Sequence, residues 1–290
     1  MVPSNDVPTA MENLGSVHSA AATALPPAPR RAIRRKSAVV FVLGLLSVCP
    51  AVLHAEGYWF EGGESRAWLR NYDPTLIGRR VVSELSFEDD RGGVTITKLS
   101  TTIRDSTLIS SGLAVGAQIE LPVEWHSTNG DIVSGLADFE TRAGVVGRIS
   151  KTLRWGTALN LKLPTSTSPV LSDPFTMKPM LAISWDVTST LNLGLTPSYE
   201  FTPGAPSFDR VNTLHFDVPV AVSLSKQWSA ALTYKPEWDL DSRQITHKLE
   251  TGLTLLFGPG SQFAFSPALE IPLSRQTMEW KAIASLAWYF

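Results

Sequence analysis

MEWKAIASLAWYF, Met278 to Phe290, decides the fold. Read at period two, Met278, Trp280, Ala282, Ala284, Leu286, Trp288 and Phe290 fall on one face. Glu279, Lys281, Ile283, Ser285, Ala287 and Tyr289 fall on the other. Alternate side chains of a strand point to opposite sides. One face is therefore wholly apolar and the other carries charge. Chain ends normally fray into water, and aromatic residues exposed there would form an unpartnered apolar patch. Both facts fit a strand whose outer face meets lipid.

The same alternation recurs upstream. In NTLHFDVPVAVSLS, Leu214, Phe216, Val218, Val220, Val222 and Leu224 oppose His215, Asp217 and Ser223. In THKLETGLTLLF, Leu249, Leu253, Leu255 and Phe257 oppose Lys248, Glu250 and Thr254. SAALTYKPEWDL sets Leu232, Tyr234 and Trp238 against Lys235, Glu237 and Asp239, and SGLAVGAQIELPVEW sets Leu113, Val115, Ile119, Leu121 and Val123 against Gln118, Glu120 and Glu124. RRVVSELSFED, VTITKLSTTIR, LADFETRAGVVGRIS, WGTALNLKLP, PMLAISWDVT, LNLGLTPSYEF and QFAFSPALEIPL follow the rule less sharply. Together these segments predict about 12 strands, and past residue 78 neither a long 3.6-period stripe nor an 18-residue apolar run occurs.

The connections alternate as well. Short ones are expected near Asp105–Ser110, Ser150–Arg154, Thr188–Thr190, Ser225–Trp228 and Gly258–Ser261. Longer or more polar ones are expected near Asp89–Gly93, His126–Gly135, Pro164–Lys178, Thr202–Val211, Asp239–Ile245 and Ser274–Thr277. Short turns at one end and long loops at the other are the layout of an all-β, antiparallel, up-and-down transmembrane β-barrel. Closure removes the strand edges that lipid cannot hydrogen-bond. A soluble sandwich would alternate too. It would not need an unbroken apolar stripe in strand after strand, nor Trp and Tyr near strand ends (Trp125, Trp155, Trp185, Tyr199, Trp228, Trp238, Trp280, Trp288) as an interfacial girdle does.

The first 55 residues differ in kind. They hold five of the chain's 25 Lys and Arg but only two of its 27 Asp and Glu, which leaves the remainder acidic. Arg30 to Lys36 form a basic stretch ahead of an apolar run from Ala38 to about Leu53, with small Ala55 as a cleavage point. That is the order of a secretory signal peptide, expected over 30–55, behind a disordered extension at 1–29. The single cysteine, Cys49, lies inside it, so disulfides cannot staple the exported protein. Residues 56–78, with Tyr58, Trp59, Phe60, Trp68 and Leu69, are expected to lie at the periplasmic interface or to plug the lumen, ahead of a barrel over 79–290. A net charge of −2 leaves no nucleic-acid footprint.

SGLADFETRAGVVGRISKTLRWGTALNLKLPTSTS resembles a known family, the outer-membrane proteins of meta-pathway phenol degradation, often labelled transporters. The family's Gly-Leu-Gly-Asp element corresponds to Gly135-Leu136-Ala137-Asp138, with Ala137 in place of Gly. Its Leu-Pro-Thr-Gly element corresponds to Leu163-Pro164-Thr165-Ser166, with Ser166 in place of Gly. The resemblance implies an outer-membrane barrel admitting small, apolar or aromatic compounds. An aromatic C-terminal strand with Leu286, Trp288 and Phe290 resembles the signal read by the outer-membrane assembly machinery.

Catalysis has one candidate. Glu124–Gly130 is similar to the His-x-Ser-Asn-Gly of outer-membrane phospholipases A. A lipase needs a Ser whose proton a nearby His takes. Here Thr128 stands two past His126, and Ser127 adjoins the His and diverges from it on a strand. Asn129-Gly130 is a tight-turn dipeptide, so the stretch reads as a loop and no catalytic residue is expected. His215 and His247 read as lumen-facing, Asp217 being placed to hydrogen-bond His215, and no metal or cofactor set is visible. Function is expected on the lumen face. Its candidates are Glu84, Lys98, Glu120, Glu140, Arg142, Arg148, Lys162, Asp186, Glu200, Asp217, Lys235, Glu237, Lys248, Glu250, Glu279 and Lys281. The expected partners are outer-membrane lipid, the assembly machinery and a small-molecule solute. A passive channel leads; a lipid-modifying enzyme and a closed structural or surface barrel are the alternatives.

Overall fold

The structure, a computed structural model, describes residues 73–76, 78–90, 92–128, 130–204, 210–274 and 278–290. The expected extension (1–29), signal peptide (30–55) and most of the 56–78 segment lie outside the described residues.

Among the described residues, thirteen strands form one antiparallel sheet: β1 (Arg80–Asp90), β2 (Val94–Ser110), β3 (Leu113–Thr128), β4 (Asp131–Leu136), β5 (Phe139–Arg148), β6 (Leu153–Leu163), β7 (Thr176–Asp186), β8 (Leu191–Phe201), β9 (Asn212–Ser223), β10 (Trp228–Asp239), β11 (Gln244–Phe257), β12 (Phe263–Pro272) and β13 (Met278–Tyr289). β1 pairs with both β2 and β13, so the sheet closes on itself. β4 and β5 are one wall strand broken at Ala137-Asp138, and both pair with β3. The barrel therefore has twelve staves. With an even count, both ends of the described barrel, Arg80 and Tyr289, meet at one rim, where they are register partners.

Alternation sets the two faces. Leu85, Ile103, Ile119, Leu181, Leu195, Leu232, Leu253, Phe265 and Leu286 are all at least two-fifths exposed and point outward. Ser86, Ser100, Asn160, Ser184, Thr196, Thr254 and Glu270 are buried and point inward. A globular core would reverse this. Apart from the six-residue β4, the strands have 10–17 residues; rising about 3.3 Å per residue and tilted, they cover the apolar band of roughly 25 Å that such a barrel presents to lipid. Trp125, Trp185, Trp228, Trp238 and Trp288 remain partly exposed near strand ends. The closed ring with an apolar exterior and a polar interior is the architecture of the bacterial outer membrane.

The structure departs from the expected layout at three places. His126–Gly135 is a hairpin, not a loop: β3 runs to Thr128, Gly130 supplies the turn with a φ of 90°, and β4 returns from Asp131. The turn expected at Asp105–Ser110 is strand, and the chain reverses at Ser111-Gly112 instead. Arg154, expected in a turn, lies within β6.

Candidate functional site

The lumen is built by the even-numbered residues of β1 to β3, β5 to β8, β11 and β12, and by the odd-numbered ones of β9, β10 and β13. Its outer half is a ladder of paired charges. Lys235 Nζ donates to Glu250 Oε2 (2.6 Å) and to Glu270 Oε2 (2.7 Å). Lys248 Nζ meets Glu237 Oε1 at 3.0 Å, Lys98 meets Glu120 at 2.9 Å, and Lys281 meets Glu88 at 3.6 Å. Lys178 meets Glu200 at 3.4 Å, and Thr176 Oγ1 donates to the same carboxylate. Asn160 Nδ2 donates to Glu140 Oε2 (3.1 Å), and Lys162 binds Asp173 of the loop after β6. A charge inside a narrow barrel must be paired or wet, and these are paired across neighbouring strands. Glu84, Lys235, Glu250, Glu270 and Lys281 line a cavity of about 330 Å³. Asp217 lies on the inward face of β9 and Arg148 on that of β5, in register with Arg154. Glu279 is exposed at the outer rim.

Of the histidines, His215 keeps its expected face with other partners, whereas His247 and His126 depart from expectation. His247 points outward, stacked on Tyr234 with Tyr Oη 2.7 Å from Nδ1. Position 247 is odd where Lys248 and Glu250 face inward, and the parity of β11 decides it. His215 faces the lumen, flanked by Glu200 (3.3 Å) and Glu237 (3.6 Å) from the two adjacent strands rather than by Asp217. His126 is in β3, 2.9 Å from Glu124 on the same inward face, with Ser127 directed to the other face.

The inner end of the lumen holds a buried knot. Arg154 is 1% exposed. Its Nη1 and Nη2 donate to both oxygens of Asp186 (2.7 and 2.8 Å), Nη2 to Asp73 Oδ2 (2.8 Å) and Nε to Thr75 Oγ1 (3.3 Å). Ser184 Oγ donates to Asp73 (2.6 Å), and Asn192 Nδ2 donates to Asp186 (2.8 Å). Asp73 also accepts from the Thr75 backbone N–H in a local turn. Residues 73–76 thus sit inside the barrel, ahead of the first strand. Leu76 packs against Ala114 and Val146 on one wall and against the cluster of Ala221, Leu256, Ala264 and Ala287 on the other.

The residues that carried the family resemblance hold a loop in place. Asp138, 2% exposed, interrupts the strand between β4 and β5. Its carboxylate accepts the backbone N–H groups of Thr165 and Ser166 (both 2.9 Å) and of Asp173 (2.5 Å). The two motifs are one clamp, with the acid of the first gripping the loop opened by the second. At Gly135 an added Cβ would collide with Thr167 Oγ1, so the loop also needs the glycine.

One row of the inner wall lacks a carboxylate. Register carries it from Arg80 to Arg104, Gln118, Arg142, Asn160 and Lys178 across six staves. Arg104, Gln118, Glu124, Asp138, Arg154, Lys178 and Glu270 were absent from the sequence candidates. The same period-two rule would have found Glu270, between exposed Leu269 and Ile271, and Arg104, three steps of two beyond Lys98. Leu286 and Trp288 face outward, and Trp288 packs on Phe290 with ring centres 4.9 Å apart.

A family model described as "Putative MetA-pathway of phenol degradation" matches residues 78–271. Among solved structures the fold is similar to a NanC porin, with a TM-score of 0.52 at 11% identity, over 72% of this chain and 100% of that one. It is also similar to a CymD monoaromatic hydrocarbon channel, with a TM-score of 0.50 at 10% identity, over 80% and 94% of the two chains. At such identities the likeness is one of fold. No curated protein matches the sequence.

Proposed function

The chain belongs to the phenol-degradation family, and on that premise we propose that it is a passive channel for small apolar or aromatic solutes. The observation that carries this reading is the lumen itself: a closed wall whose outer half keeps a cavity of about 330 Å³ between paired charges. Paired charges of both signs cost a neutral solute little and tune which ions accompany it. The fold shared with a monoaromatic hydrocarbon channel supports the same solute class. On this reading the charged side chains of the lumen, Lys248 and Glu250 among them, set selectivity. Leu286, Trp288 and Phe290 address the chain to the assembly machinery, and the apolar exterior takes up outer-membrane lipid. The protein carries out no catalysis on this reading, since His126 and Ser127 face opposite sides of β3.

Reconstitution into planar bilayers tests the channel. We expect steady conductance steps whose ion selectivity shifts when Lys248 or Glu250 is exchanged for the opposite charge. Silence over repeated insertions would sink the reading. Purified protein should hydrolyse no phospholipid, and hydrolysis abolished by His126→Ala would establish an enzyme instead.

A second reading has its own support. Residues 73–76 occupy the inner end of the lumen, held by Arg154. On it the barrel rests closed and conducts only when that segment leaves. Conductance that rises severalfold in Arg154→Ala would favour a closed resting state; equal conductance would favour a pore that runs past the segment.

A further inference from the structure

We propose that the inner wall of the lumen carries a binding site for a small apolar monocarboxylate, of which benzoate is the simplest aromatic example. The inference rests on the channel reading only for the route by which the anion arrives.

Three observations converge. First, the row Arg80–Arg104–Gln118–Arg142–Asn160–Lys178 brings four cations together, and no acidic residue interrupts it. Second, its centre is not neutralised. Among the described residues Arg104 donates to the neutral Gln118 alone (2.6 and 3.0 Å). Arg142 Nε is buried without a hydrogen-bond partner, and among the described residues no carboxylate stands within ion-pair distance of that guanidinium. The nearby acids are Glu140 and Glu120 on the same wall and Asp217 on β9, the last with no ion pair to Arg142 among the described residues. Glu140 is occupied by Asn160, and Glu120 by Lys98. The lysines of the outer ladder each have a carboxylate; here a planar donor is left waiting. A guanidinium is the side chain suited to gripping a carboxylate in two places.

Third, the wall below the row is apolar and small. Gly144, Val146, Gly156, Ala158 and Ala182 line a recess of about 70 Å³ that also reaches Arg104 and Arg142. A water needs roughly 10–15 Å³ of such space, so the recess holds a body several waters in size. Gly144 cannot be larger, because a Cβ there would lie 2.7 Å from that of Ala158. Pro74 of the lumen segment forms part of the lining. A charged head set against two arginines with a flat apolar body on the glycine–alanine wall is the complement of this surface. Phosphate would satisfy the arginines and leave the apolar wall unused; an uncharged aromatic would do the reverse.

Titration calorimetry on the full-length, detergent-purified barrel at neutral pH tests the site, with benzoate as probe. We expect saturable binding that weakens with added KCl, because the contact is ionic. Arg142→Gln should lose about tenfold or more in affinity, the scale of one charge-assisted hydrogen bond. Arg142→Lys, which keeps the charge and loses the two-point grip, should fall between the parent and Arg142→Gln. Benzyl alcohol, with the ring and without the charge, and inorganic phosphate, with the charge and without the ring, should each bind about tenfold more weakly, the same scale of one lost charged contact. Arg104→Gln is read in the same way should Arg142→Gln lose its heat-modifiable mobility on gels. No saturable benzoate binding, no loss in either variant, or phosphate binding as tight as benzoate would overturn the proposal. Bilayer conductance on the same preparations separates the two claims. Conductance without benzoate binding removes only the site, and binding in silent bilayers removes only the channel.

Discussion

Arg154 shows how one side chain organises the inner end of the barrel. Four acceptors from two distant parts of the chain converge on it, 1% exposed. Truncating it strands two buried carboxylates, Asp73 and Asp186, a change that typically costs about 3–5 kcal/mol. Arg154→Ala should therefore lower the urea midpoint of the detergent-folded barrel, while Arg154→Lys keeps the charge and loses the fork. Asp138 makes a parallel case at the other end. Asp138→Ala removes an acceptor from three backbone N–H groups, each costing about 1–3 kcal/mol when left unsatisfied. The 164–173 loop should then be cut faster by proteinase K, with the strand content seen by circular dichroism unchanged. Neither role was legible in the sequence. Asp73 and Arg154 are 81 residues apart, and no local pattern links them. Asp138 was visible only as part of a resemblance, without the contact that explains it.

Strands were the most legible element because lipid outside and water inside impose period two on almost every stave. β8 spans Leu191–Phe201, the bounds its alternation predicts. The rule fails where the chain leaves the membrane. His126–Gly135 has no apolar stripe, since a hairpin beyond the apolar band has no lipid to meet: its two apolar residues, Ile132 and Val133, fall on opposite faces, and such a mixed stretch resembles a loop. It also fails to see a register: Arg104 and Arg142 become neighbours only through Gln118 between them. Within a stave, the two faces should respond oppositely. Leu286→Arg puts a charge on the outward face of β13 and should cost up to about 2–4 kcal/mol where the site lies near the bilayer midplane. Ser285→Arg, inward beside it, should cost less. Urea titration of folding into lipid vesicles measures both. Deleting Phe290 should reduce the amount of assembled barrel in the outer membrane and leave export to the periplasm intact, as fractionation would show.

At the scale of the molecule, the lumen divides into an outer half of matched charges and an inner half where, among the described residues, Arg104 and Arg142 face no carboxylate within ion-pair distance, above the Arg154 knot. The first was legible as charges opposite apolar stripes. The second was not, because it depends on how turns and stagger align six staves. The knot should govern passage: with Arg154→Ala, uptake of a small dye by intact cells should rise relative to the parent barrel. It also bears on how the barrel comes to exist. β1 and β13 meet only after every other strand has been made, since their register joins Arg80 to Tyr289, and such distant pairing forms late. Asp73–Leu76 lie immediately ahead of β1 and are enclosed by the finished wall. The cylinder is thus shut around a piece of its own chain, which makes the order of events matter. A segment already bound to Arg154 of β6 would draw β1 toward the middle of the nascent sheet and hold it there until its true neighbour arrives.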